Sequence, residues 1–402
     1  MFKSLNFKVI LFGFIFTFFS SFGQSYFLGL FNPSIRESLS ITHGQFGSIY
    51  ATATLLSSFI LVWIGKKIDD VNILKFASYV IALLAISCFL FSKISSIIFL
   101  FFSIFLMRLS GQGLMSHTAT TTISRYFDRN RGRALSTTWL GLSLAEFILP
   151  LLIVFLLTIV EWRNIWLSIS ILVIIVLPLV SFFLVKNINL ESREKSNKEN
   201  KKPKKIKQWK RVEVLKDYRF YIVCLNMLAM PWIATGSFVY QSFISSSKDW
   251  GPYIIAQSFM VYSILSVVTL FISGFLIDRF SSRRLLIYMN IPLLFSAFVL
   301  FYFTSPISSF VFFGLIGISN GLANVLGSST WAEIYGVKYI GSIKALTTAL
   351  MVFSTAFGTA LFGILIDNKF SIEQIALVSG TYIAFSIILL FIVKNKLNPI
   401  NI

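Results

Sequence analysis

Apolar residues run along this chain in stretches of about twenty or more, separated by short polar breaks, from one end to the other. Such a stretch, wound as a helix, matches the thickness of a bilayer's hydrocarbon layer. The pattern predicts twelve membrane-spanning helices, over about 7–31, 44–65, 71–92, 95–124, 131–157, 164–186, 218–246, 252–277, 283–304, 307–336, 340–366 and 372–394. The first run follows Lys3 and Lys8 but lacks a small-x-small cleavage pattern and continues through Tyr26 toward Asn32 and Pro33, where a helix is expected to stop. It reads as a retained span, not a secretory signal.

One break is long. Residues 187–217 are polar and Lys-rich, and they divide the chain into an N-terminal six-helix half (1–186), a basic cytoplasmic linker (187–217) and a C-terminal six-helix half (218–402). A solvated linker touching anionic headgroups, at about 1 kcal/mol per nearby Lys or Arg, is the simple reading. A docking site for a regulator is the alternative. The halves also look like repeats: Gly65 and Gly274, Asp69 and Asp278, and Gly132 and Gly341 are pairs with one common separation of 209 residues.

Composition agrees with lipid as the solvent, since 56% of the 402 residues are hydrophobic, 13% are charged and mean hydropathy is +0.80. A formal charge of +19 raises the question of nucleic acid, and the placement of the basic residues answers it. With the N-terminus inside, the inner loops hold Lys66, Lys67, Arg125, Arg129, Arg131, Arg133, Arg279, Arg283, Arg284, Lys338, Lys344 and the linker, whereas the outer loops hold Arg36, Lys93, Arg163, Lys248 and Lys369. That asymmetry follows the positive-inside rule and predicts a multi-pass protein of a bacterial inner membrane with both termini cytoplasmic. Cys88 and Cys224 fall inside apolar segments, so neither a disulfide framework nor a thiol metal site is expected. No nucleotide loop, zinc cluster or nucleophile triad is visible, and neither enzyme activity nor a cofactor is expected.

Several motifs carry chemistry. The segment GFLIDRFSSRR, Gly274 to Arg284, resembles the inner-loop signature of the major facilitator superfamily, and GKKIDDVNILK from Gly65 is its first-half copy, with Asp70 in place of the usual basic residue. The resemblance implies that Asp69, Asp278, Arg279, Arg283 and Arg284 latch the halves as gating residues and that Gly274 allows close helix approach. SRYFDRNRGRAL (Ser124 to Leu135) and WAEIYGVKYIGSIKAL (Trp331 to Leu346) are similar to loops of the monocarboxylate and oxalate-formate carrier branch, and EWRNIW (Glu161 to Trp166) is similar to the outer turn opening the sixth helix. The fold thereby implied is an all-α membrane protein of 12 transmembrane helices in two pseudo-symmetric six-helix halves. The implied function is secondary active transport by alternating access, with substrate held near the midplane.

Arg108 lies deep in the fourth apolar run, where a bare arginine costs about 2.5–3.5 kcal/mol and needs a partner, water or substrate. Counting rise per residue, Arg108 stands about 24 Å and Glu146 about 21 Å from the inner ends of their helices, so Glu146 is the expected partner and the proton-coupling candidate. Burial and a neighbouring guanidinium act on a carboxyl proton in opposite directions, as a proton-sensitive pair requires. At 100° per residue Gln112 and Met115 share the Arg108 face, while His117 points the other way and packs against another helix. Asn320, Asn324 and Ser328 form an i, i+4, i+8 stripe in the tenth helix. Gln24, Tyr26, Trp232, Thr235, Tyr240 and Gln241 complete the candidate pocket.

The expected substrate is a small organic anion whose carboxylate pairs with Arg108, with protons as coupling ion, lipid around the bundle, no nucleic-acid partner and a monomeric state. The oxalate-type carriers generally add a second cation in the C-terminal half. Here the eighth helix offers Gln257, Tyr262 and Ser266 instead, which leaves a neutral or amphipathic solute open. A proton-driven exporter of hydrophobic compounds and a non-transporting receptor on a carrier fold are the rival readings.

Overall fold

The computed structural model describes residues 4–127, 131–186 and 207–399. These are almost entirely helical, and twelve helices are long and apolar enough to cross a membrane. We label them α1 (Asn6–Gly29), α2 (His43–Lys66), α3 (Ile73–Ser92), α4 (Ile97–Tyr126), α5 (Gly132–Leu156), α6 (Trp162–Val185), α7 (Tyr218–Val239), α8 (Pro252–Ile277), α9 (Ser282–Tyr302), α10 (Pro306–Tyr335), α11 (Ile340–Asp367) and α12 (Ile372–Leu397). Large apolar side chains stay exposed along them, among them Val62, Trp63, Phe183, Phe275 and Ile392, which is the surface a lipid solvent accepts and water would not.

The chain forms two compact units, Met1–Glu199 and Asn200–Ile402. In the first, α1 packs on α5, α2 on α4 and α3 on α6; in the second, α7 packs on α11, α8 on α10 and α9 on α12. Each half thus uses the same helix partners, so the repeat read from three residue pairs is a repeat of packing. The glycines bear it out unevenly. A Cβ at Gly141 on α5 would run into the Phe14 carbonyl of α1, and one at Gly358 on α11 into the Trp232 carbonyl of α7. Gly274, Gly132 and Gly341 have open space where a Cβ would go. Among the described residues nothing makes the expected close approach at Gly274.

Several helices depart from regular α geometry, α9 among them with a 3-10 turn over Leu286–Tyr288, and two of these departures meet beside Arg108. In α1 a 3-10 turn over Ser20–Gly23 leads to an extended Gln24, after which Ser25–Gly29 resumes the helix. Asn32 and Pro33 begin a further helix, Asn32–Leu39, rather than only stopping one, because proline suits a first turn where its missing N–H is not needed. In α4 residues Arg108–Met115 are a π-helix. Gly111 permits it: its backbone crosses that of Gly23, with a hypothetical Gly111 Cβ only 2.7 Å from Gly23 N. The break in α1 and the widened turn in α4 are thus one packing event.

Of the linker, residues 187–206 lie outside the described residues, while 207–217 are docked on the second unit with Val214 and Asp217 buried and Lys210, Arg211, Val212 and Lys216 exposed. Trp209 N–H donates to the Tyr335 carbonyl at 3.1 Å, and Gln208 Oε1 accepts from Lys338 N–H at 2.9 Å. A short helix, Arg211–Leu215, follows. Asp217 and Arg219, both buried, form an ion pair at 2.8 Å, and Arg219 Nη1 also donates to the Lys396 carbonyl at 2.9 Å. The arrangement fastens the linker's end to α10 and to the C-terminal segment.

Candidate substrate site

Arg108 is 2% exposed and is held from three sides by α1 and α2. Its Nη1 donates to the Gly23 carbonyl at 3.0 Å, which the α1 break leaves without a regular helical partner, and to Ser25 Oγ at 3.3 Å. Tyr50 of α2 lies beneath the guanidinium, 5.3 Å from ring centroid to Cζ, and its hydroxyl donates to the same Ser25 Oγ at 3.0 Å. The buried Nε–H donates to no group among the described residues. The ion pairs seen among those residues join Arg163 to Glu161, Lys207 to Glu213, Arg219 to Asp217 and Lys248 to Glu373, so Arg108 has no carboxylate among them. A full positive charge is thus fixed in an apolar bundle by neutral oxygens and a π face, with one donor unspent.

The expected Arg108–Glu146 pair is not formed. Glu146 is buried on α5, within electrostatic range of Tyr26 on the resumed part of α1. Rise per residue sets depth correctly but says nothing of azimuth, and the break in α1 interposes its own carbonyl and hydroxyl. The helical wheel of α4 fails for a related reason: a π-turn advances less than 100° per residue, so the angles drawn from Arg108 to Gln112 and Met115 do not apply. In the structure Met115 is buried and Gln112 half-buried. His117 does pack against another helix, with Nε2 hydrogen-bonded to the Gly65 carbonyl of α2 at 3.0 Å.

In the second unit Asn320 Nδ2 donates to Ser266 Oγ of α8 at 2.9 Å, and Asn324, one turn on, is exposed. Tyr240 donates to the Thr359 carbonyl at 3.1 Å and Gln241 Nε2 to the Phe238 carbonyl at 2.9 Å, both buried within this unit. Gln24 is half-buried and Tyr26 buried in the first unit. Of the gating residues, the side chains of Asp69 and Asp278 lie outside the described residues. Arg279 and Arg284 are exposed, whereas Arg283 is half-buried at the start of α9.

Three residues escaped the sequence reading. Ser25 and Tyr50 carry the hold on Arg108, and neither type stands out in an apolar helix. Glu333, at the end of α10, accepts from the Ser282 and Arg283 backbone N–H groups at 2.9 and 3.2 Å, capping the first turn of α9. The opposite chemistry serves the first unit, where Arg125 of α4 donates to the Ile68 carbonyl after α2 at 3.1 Å. Glu333 was visible as the lone acid of the WAEIYG segment.

Sequence comparison settles the family. The description "Major Facilitator Superfamily" matches residues 13–359 and, in a second alignment, 221–401. The chain belongs to the major facilitator superfamily. Its two overlapping alignments agree with the repeated packing of the halves. Among solved structures, this superfamily member is similar to a bacterial homolog of the human lysosomal transporter Spinster, at TM-score 0.74 and 13% identity over 99% of both chains. It is likewise similar to the nucleoside transporter NupG, at TM-score 0.70 and 13% identity over 98% of this chain and 99% of that one. No curated protein matches significantly in sequence. At this identity the likeness shows the fold alone; it is the family match that makes the chain one of a superfamily of transporters rather than enzymes.

Proposed function

We propose that the protein is a secondary carrier of a small organic anion, driven by protons, in a bacterial inner membrane with both termini cytoplasmic. The observation that carries this reading is the buried guanidinium of Arg108, which has no carboxylate among the described residues and an unused Nε–H. A substrate carboxylate supplies the missing charge and accepts in the two-pronged geometry that guanidinium favours. Glu146 is the proton site of this reading: it is buried on α5 within electrostatic range of Tyr26 on the resumed α1, the segment that also holds Arg108, and makes no ion pair with Arg108 itself. Protonation there removes a negative charge from the neighbourhood of a segment that also supplies two of the oxygens on Arg108.

Uptake of labelled mono- and dicarboxylates into proteoliposomes with an imposed pH gradient tests both parts. Arg108→Lys is expected to lower apparent carboxylate affinity by about tenfold or more, because an ammonium does not reproduce the planar fork. Glu146→Gln is expected to abolish gradient-driven accumulation while leaving exchange of internal for external substrate intact; undiminished accumulation would remove Glu146 from the coupling. A neutral, hydrogen-bonding solute is the second reading, favoured by the amides Asn320 and Asn324 in the second unit. Competition by uncharged solutes as strong as that by carboxylates would select it.

A further inference from the structure

The outer turn EWRNIW has a role beyond joining α5 to α6. Arg163 stacks on Trp162 at 4.3 Å, donates Nη2 to the Ile94 carbonyl at 3.1 Å and pairs with Glu161 at 3.3 Å. It thereby ties the α5–α6 turn to the α3–α4 turn, and between the two turns lies a cleft of about 350 Å³ whose lining includes Lys93, Ser95, Glu161, Arg163 and Asn164. That volume falls within the range of small-molecule sites. Lys93 is exposed and forms no ion pair among the described residues; its Nζ stands 5.9 Å from the centroid of the exposed Phe89 ring. Around the cleft the helices bear exposed apolar side chains: Phe89 on α3, Ile97 and Ile98 on α4, and Ile171 on α6. Two cations, one anion and a greasy border in one place describe the complement of an amphipathic zwitterion.

The geometry points to a binding site for the headgroup of a zwitterionic aminophospholipid at the face where α3 ends and α6 begins. Lys93 and Arg163 receive the phosphate, Glu161 accepts from the primary ammonium, and the acyl chains lie on Ile97, Ile98 and Ile171. The assignment is independent of which solute the carrier moves, because no residue of the Arg108 site takes part.

Thermal unfolding of the purified full chain with short-chain phosphatidylethanolamine, phosphatidylglycerol and phosphatidylcholine tests it. The ethanolamine lipid is expected to stabilise most, since choline carries no N–H to donate and glycerol carries no cation. Lys93→Ala is expected to weaken both phosphatidylethanolamine and phosphatidylglycerol about fivefold, the effect of one basic group at a lipid surface. Glu161→Gln is expected to erase the preference for ethanolamine over glycerol and leave the glycerol lipid's effect in place. Equal stabilisation by all three lipids, or a preference unchanged in both variants, overturns the site. Equal stabilisation by free phosphoethanolamine assigns a soluble ligand and overturns the lipid. Native mass spectrometry of the unsubstituted chain against mixed lipids gives the same preference without relying on a variant's folding.

Discussion

Ser25 accepts two hydrogen bonds at once, from Arg108 Nη1 and from the Tyr50 hydroxyl, so it couples the charge on α4 to the ring beneath it on α2. A hydrogen bond to a charged group is worth about 1.5–3 kcal/mol, and Ser25→Ala leaves Arg108 with the Gly23 carbonyl alone as acceptor. Carboxylate affinity in a competition-binding assay is expected to fall about tenfold in that variant. Tyr50→Phe keeps the ring under the guanidinium and is expected to cost about threefold or less. Arg108 itself was legible in the sequence because a lone arginine interrupts an apolar run. Its partners were not, for serine and tyrosine are ordinary in membrane helices and the most useful acceptor is a backbone carbonyl freed by a helix break. Glu146 was legible for the same reason as Arg108, and the pairing between them was misjudged because depth is one coordinate of two.

At the scale of elements, α1 and α4 are each irregular where they cross, and the two irregularities meet backbone to backbone at Gly23 and Gly111. Side-chain atoms on Gly23 would meet Gln112 N and the Met107 carbonyl of α4, and on Gly111 would meet Gly23 N and Cα at 2.7 and 2.8 Å. Because the obstructing atoms are backbone, they give way only by separating the helices, at about 1–3 kcal/mol for each added methyl. Gly23→Ala and Gly111→Ala are both expected to lower the temperature at which the detergent-solubilised protein loses its monodisperse peak. Gly274→Ala, where a Cβ meets nothing, is expected to leave it unchanged or slightly raised. Hydropathy located all twelve helices because span length is set by the bilayer, but it ran the seventh on to residue 246, past the break at Tyr240 that separates Tyr218–Val239 from a short helix Gln241–Ser247. It was blind to the π-turn, which is decided by contacts between helices and by the absence of two Cβ atoms.

For the whole molecule, the proposed topology puts both ends on one side, as an even number of spans requires, and the distribution of Lys and Arg is the argument for the cytoplasmic side. In a chain lacking Cys88 and Cys224, a single cysteine at position 93 is expected to react with a membrane-impermeant maleimide in intact cells, and one at position 396 only after permeabilisation; the reverse pattern inverts the topology. The two-half plan was legible from hydropathy and from three residue pairs, and its packing follows the same plan in each half. The docked end of the linker was not legible, since a Lys-rich polar run looks solvated even where Trp209, Val212, Val214 and Leu215 interrupt it. That docking decides where the chain tolerates a cut. Two fragments expressed from separate reading frames should be divided ahead of Lys207, so that the second carries Gln208, Trp209 and the Asp217–Arg219 pair with it. A division after Leu215 would deprive it of the Trp209 and Gln208 clasp on Tyr335 and Lys338 and leave that end of α10 bare.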